Sequence, residues 1–150
     1  MKITLEFLKS NNACAEGLRW VIENNLIDLD AVEFIQALIE GGKLDWANWL
    51  IVRVMTYEQC VAYAIFDAEQ VIDLYEKKYP DDKRPRQAIE AAKECLRNPT
   101  NKNKAAANAV AYAAHAAYAA AYTAYAAAAY TALITTKVKI LEYGINLLKK

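Results

Sequence analysis

Residues 105–136 run without a single charged side chain, and 18 of the 28 residues in 105–132 are alanine. No other feature limits the fold of this chain so strongly. Alanine is the best helix former, because it loses no side-chain entropy and adds almost no bulk. A helix built from it is thin and lets neighbours approach closely. Tyr112, Tyr118, Tyr122, Tyr125, Tyr130 and His115 are the bulky rings of the segment. At 100° per residue they fall on one face, within an arc of about 140°. Leu133, Ile140, Leu141 and Leu148 continue the same stripe. The spacing therefore predicts a long Ala/Tyr-rich C-terminal helix, or a helix pair broken at residues 131–136. Thr131, Thr135, Thr136 and Ile134 lower the helix propensity there. The stripe can be core, with tyrosine rings filling gaps between thin helices. It can also be a binding face, since tyrosine offers rigid area with a polar tip. Ice binding is excluded, because the threonines lack a regular eleven-residue repeat.

The rest of the chain is also read as helical from its periodicity. Thr4 caps a short first helix with Leu5 and Leu8. Asn12 is the expected cap of a second, which turns Cys14, Leu18, Val21 and Ile22 to one face. Asp28 or Asp30 opens a third, carrying Ala31, Phe34, Ile35 and Leu38, and Gly41-Gly42 stops it. Asp45 is the expected cap of a fourth, with Trp46, Trp49 and Leu50. Thr56 and Gln59 form a capping box for a fifth helix. Its apolar positions Tyr57, Cys60, Val61, Ala64, Ile65, Ala68, Val71, Ile72 and Tyr75 predict one continuous helix that ends before Pro80. Pro85 suits the start of a sixth helix, with Ala88, Ile89, Ala92, Cys95 and Leu96 facing inward. Nothing alternates with period two, so no strand is expected.

The length of 150 residues fits one domain with a real core. The uncharged stretch is too poor in strong hydrophobes to insert in a membrane. Residues 1–6 lack the basic and apolar regions of a secretory signal. Three cysteines, Cys14, Cys60 and Cys95, are an odd number set far apart, and they read as buried reduced thiols of a cytoplasmic protein. The net charge is zero but unevenly placed. Residues 1–76 hold 5 basic and 13 acidic side chains, a net of −8, and residues 77–150 hold the reverse, a net of +8. The halves can complement each other, or the basic half can face an acidic partner.

Motifs of catalysis are missing. The single histidine, His115, has no nucleophile or carboxylate within two turns of its own helix. The cysteines and the acidic residues follow no metal-ligand spacing. Four glycines offer no phosphate-cradling loop. Basic residues gather at Lys77-Lys78, Lys83-Arg84, Arg86 and residues 97–104, but Asp81, Asp82, Glu90 and Glu94 interrupt them. That pattern fits a solvated rim better than a nucleic-acid groove.

The run Tyr75-Glu76-Lys77-Lys78-Tyr79-Pro80-Asp81-Asp82-Lys83-Arg84-Pro85-Arg86-Gln87-Ala88-Ile89-Glu90-Ala91-Ala92 resembles a segment shared by small bacterial "putative immunity proteins" and by tailed-phage proteins. Asp45-Trp46-Ala47-Asn48-Trp49-Leu50 with Arg53 and Met55, and the opening Ala13-Cys14-Ala15-Glu16-Gly17-Leu18-Arg19-Trp20, are similar to the phage members. The resemblance implies an all-helical fold and a protein that binds and neutralises another. It carries over no catalytic residue. Relatives interleave Asp or Arg through the alanine tail, where this chain places tyrosine and threonine. The shared segment itself reads as a rigid corner. Two prolines fix its backbone, and Asp81 or Asp82 can pair with Arg84 or Arg86 or cap the next helix.

The sequence thus predicts an all-α fold, a compact bundle of six to eight helices in one domain. Residues 1–98 form amphipathic helices and residues 103–149 the Ala/Tyr-rich region. The expected function is a non-catalytic protein-binding module that inhibits or neutralises a protein partner, a toxin or a host defence protein. It would use no cofactor, no metal and no membrane. The partner-binding candidates are Tyr112, His115, Tyr118, Tyr122 and Tyr125 of the stripe, with Asp81, Asp82, Arg84 and Arg86 of the corner. Two alternatives stand beside this reading. One is a nucleic-acid-binding accessory protein that uses the basic half. The other is a structural protein that self-associates through its alanine face into a homo-oligomer.

Overall fold

The computed structural model describes residues 1–100 and 130–150, with side chains in the last helix from residue 133 onward. The described residues form eight α-helices and no strand: α1 (Leu5–Ser10), α2 (Ala15–Glu23), α3 (Ala31–Glu40), α4 (Leu44–Val54), α5 (Tyr57–Glu69), α6 (Ile72–Lys78), α7 (Arg84–Arg97) and α8 (Tyr130–Leu148). The chain divides into two compact units. One is Met1–Met55 with Gly144–Lys150, and the other is Thr56–Tyr143.

In the first unit the helix ends follow from local chemistry. Thr4 Oγ1 accepts from the Phe7 amide at 3.1 Å and caps α1. Asp30 Oδ1 accepts from the Val32 amide at 3.0 Å and caps α3. The C-terminus of α3 is a Schellman turn: the Lys43 amide donates to the Leu38 carbonyl and the Gly42 amide to the Ile39 carbonyl. Gly42 has φ +69°, a left-handed conformation that a β-carbon would strain. α3 packs on α4. Phe34, Ile35, Leu38, Ala47, Leu50 and Ile51 are all buried, so the two helices meet through their apolar stripes.

Two expected caps are replaced. Asn12 takes φ +59° and does not cap α2. Cys14 does so instead, its Sγ accepting from the Gly17 amide at 3.3 Å. Cys14 is therefore exposed rather than buried, while Cys60 is half-buried and Cys95 buried. α4 starts two residues earlier than expected, after Lys43 and without a side-chain cap. Asp45 sits in its first turn, where its carboxylate faces the positive end of the helix dipole. Ile22, expected inside, is exposed.

In the second unit the expected fifth helix is two helices. Thr56 and Gln59 form the full capping box of α5. At its other end the Gln70 amide shares the Phe66 and Asp67 carbonyls, and the Val71 amide bonds Ala68 at 3.2 Å. The last turn thus tightens to three-residue bonds. The Gln70 side chain also donates to the Phe66 carbonyl, at 3.0 Å. Val71 leaves helical geometry, and α6 restarts at Ile72. No proline or glycine marks this break. Ile65, Ile72 and Ile89 then form one buried cluster, covered by Val61, Ala68 and Ala92.

α5 is covered on more than one side. α7 packs along it, and Phe66 stacks on Tyr143 of α8, with ring centroids 4.0 Å apart and 10° between planes. Lys139 of α8 donates to Gln70 Oε1 at 2.8 Å. Tyr63, off the apolar stripe, is consequently buried, while Tyr57, Ala64 and Leu96 are exposed. α8 runs unbroken from Tyr130 through Thr135 and Thr136 to Leu148. The threonine penalty of a few tenths of a kcal/mol each is outweighed by burial of Ile140, Leu141 and Ile145.

Candidate functional site

The corner between α6 and α7 is set by Tyr79 and two prolines. Tyr79 closes α6 by donating its amide to the Tyr75 carbonyl, at 2.8 Å. Pro80 follows, and Pro85 is buried in the first turn of α7, where its missing amide proton costs nothing. Asp82 lies between them as the hub. The Tyr75 hydroxyl donates to its Oδ2 at 2.8 Å. The Arg84 amide donates to Oδ1 at 3.1 Å, and the Arg84 guanidinium donates to Oδ1 at 2.8 Å and to Oδ2 at 2.6 Å. This is a two-point arginine–carboxylate fork, the strongest common geometry for such a pair.

A second fork braces the same corner. Arg86 donates through Nε to Glu76 Oε1 at 2.6 Å and through Nη2 to Glu76 Oε2 at 2.7 Å. Its Nη2 also reaches Asp73 Oδ1 at 3.3 Å. The α7 arginine is thus tied to two carboxylates of α6. Asp81 is exposed and takes no part in this network. The sequence expectation of pairing is met by Asp82 and Arg84, whereas Arg86 turns to Glu76 and Asp73. Those last two acids were not among the expected site residues. Their signal was their i, i+3 spacing on α6, with both carboxylates reaching one guanidinium.

The electrostatics follow from the geometry. Arg84, then Tyr75, hold the Asp82 carboxyl well below the usual carboxylate range. The Arg86 guanidinium lowers the Glu76 carboxyl in the same way. The hydrogen bond to Asp82 pushes the Tyr75 phenol up. Both carboxyls titrate lower in the folded protein than in the unfolded chain. Their contribution to stability is therefore complete above about pH 5 and is lost as pH falls toward their folded values. Thermal unfolding followed between pH 7 and pH 3 is expected to show a falling midpoint. Asp82→Asn is expected to lower the midpoint at pH 7 and to flatten the acid limb. An unchanged acid limb would show that the fork does not form in solution.

Arg84 is 80% exposed despite its fork, and Leu74 of α6 and Tyr79 at its end are exposed as well. The corner therefore presents an exposed guanidinium held in place by the Asp82 carboxylate. Other basic residues of this half are also tied to carboxylates. Lys93 contacts Glu69 and Glu90, and Arg97 contacts Glu94. Tyr112, His115, Tyr118, Tyr122 and Tyr125 lie outside the described residues. Among the described residues no three His, Cys, Asp or Glu side chains come together as metal ligands. No described helix is long and apolar enough to cross a membrane.

The first unit holds a feature that sequence reasoning missed, an apolar pocket lined by Cys14, Gly17, Phe34, Asp45, Trp46 and Trp49 among others. Its one sequence signal was a glycine inside α2, where any residue but proline would favour the helix more.

The family model described as "Imm-5 like putative immunity protein" matches residues 51–139, more than half of the chain. No curated protein and no solved structure matches.

Proposed function

The chain belongs to the Imm-5 like putative immunity protein family, and from that membership we propose that it binds and neutralises a protein partner without catalysis. The observation that carries this reading is the family match itself, which spans α5, α6, α7 and the corner between them. The corner supports it physically. Its forks hold Arg84 in one geometry before a partner arrives, so little side-chain entropy remains to be lost on binding. Leu74 of α6 and Tyr79 at its end add exposed apolar area to this region. Asp81, exposed and outside the network, supplies an acid for a basic group of the partner. Tyr112, Tyr118, Tyr122 and Tyr125, with His115, form the second half of the proposed working surface.

Size-exclusion chromatography of the full chain with purified toxin domains tests the reading. Co-elution in a fixed ratio with the cognate toxin, with loss of toxin activity, is expected. Replacing Arg84 and Tyr79 by alanine is expected to weaken the complex by about 10-fold or more, with helical content retained. A complex in which the toxin stays fully active would overturn the proposal. So would tight, salt-sensitive binding of duplex DNA by a chain that binds no toxin.

A further inference from the structure

A pocket of about 250 Å³ opens in the first unit among α1, α2, α3 and α4. Its deepest lining residues are Phe34, Leu38 and Leu50, none more than 2% exposed. Its mouth carries the half-buried rings of Trp46 and Trp49 and the exposed side chains of Cys14 and Asp45. Gly17 helps to keep the mouth open. A β-carbon there would stand 3.3 Å from Cys14 Sγ and 3.9 Å from the Trp46 ring.

The charges around the pocket are asymmetric. Asp45 is the one charged residue among those that line it. Lys43 Nζ lies 4.6 Å from the Trp46 ring centroid and Arg53 Cζ lies 4.0 Å from that of Trp49, but neither cation lines the cavity. A ligand that enters therefore meets apolar and aromatic walls and, at the entrance, a carboxylate. Aromatic faces attract cations, and an exposed carboxylate adds a modest, salt-screened attraction.

We propose that this pocket binds a small organic cation with a ring-sized apolar body. The ring enters over Phe34 and Leu50, and the ammonium group stays at the mouth beside Asp45. The lining residues all lie within residues 8–50, outside the family-matched segment 51–139, so the site stands apart from the partner-binding reading.

Phenylbutylamine, phenylbutanol and phenylbutyrate share one ring and chain and differ only in the charge of the end group. Each is titrated into the full chain while tryptophan emission is followed. Trp20, Trp46 and Trp49 are the three tryptophans of the chain, and all belong to this unit. Saturable binding of the amine is expected, about 5- to 10-fold tighter than that of the acid. Bound amine is expected to slow alkylation of Cys14, read by peptide mass spectrometry, and to leave the buried Cys95 unaffected. Asp45→Asn is expected to abolish the preference for the amine while leaving binding of the alcohol unchanged. Equal binding of all three compounds, tighter binding of the acid, or no saturable change with any of them would overturn the proposal. A preference that survives Asp45→Asn would overturn the role given to that carboxylate.

Discussion

Phe34→Ala is expected to destabilise the protein by about 3 to 5 kcal/mol, the range for deleting a buried phenyl group. Phe34 is 1% exposed on the buried stripe of α3, which packs on α4. Removing the ring deletes its transfer free energy and leaves a cavity beside Leu38 and Leu50. The pocket already present on that side offers the neighbours no atoms to collapse onto. The loss is a large share of the ~5–15 kcal/mol that holds a domain folded. Denaturant unfolding read by tryptophan emission checks it, because all three tryptophans report on this unit. A loss under about 1 kcal/mol would show that Phe34 is not core.

Ile89→Asp is expected to cost at least as much, about 3 to 5 kcal/mol, in the second unit. Ile89 is 5% exposed, within the cluster it forms with Ile65 and Ile72. Those neighbours are hydrocarbon, so an ionised carboxylate there would have no partner. The buried acid would titrate above its unfolded value, so the deficit is expected to narrow as pH falls and the group protonates. Ile89→Val removes one methylene from the same site and is expected to cost about 0.5 to 1.5 kcal/mol. Unfolding followed by far-ultraviolet circular dichroism compares the two variants. Equal losses would show that position 89 is open to water.

The helices were legible because their signals are local. Thr4, Asp30, the Thr56–Gln59 box and Gly41-Gly42 act through bonds within one turn, and each does what its spacing indicates. The break at Val71 was not legible, because it rests on the Gln70 backbone and side chain competing for carbonyls, with no proline or glycine to mark it. Tyr63 was left out of the buried stripe for another reason. Periodicity assumes that a helix buries one face, and α5 is covered both by α7 and by Phe66 stacking on Tyr143.

The corner was half legible. Two prolines around a block of opposite charges announce a rigid turn, and Asp82 and Arg84 lie only two residues apart. The pairing of Arg86 with Glu76 and Asp73 spans ten and thirteen residues and depends on how α6 meets α7. The pocket depends on four helices meeting, which no single stretch of sequence encodes.

Neutralisation by binding and neutralisation by chemistry differ in stoichiometry. Cells that express the chain identify the toxin it protects against. The activity of that purified toxin is then titrated with the purified chain. A binder is expected to abolish the activity linearly, with an end point at a fixed molar ratio, and to release active toxin when the complex is dissociated. Complete inactivation by a small fraction of an equivalent, growing with time and leaving the toxin covalently altered, would contradict the account.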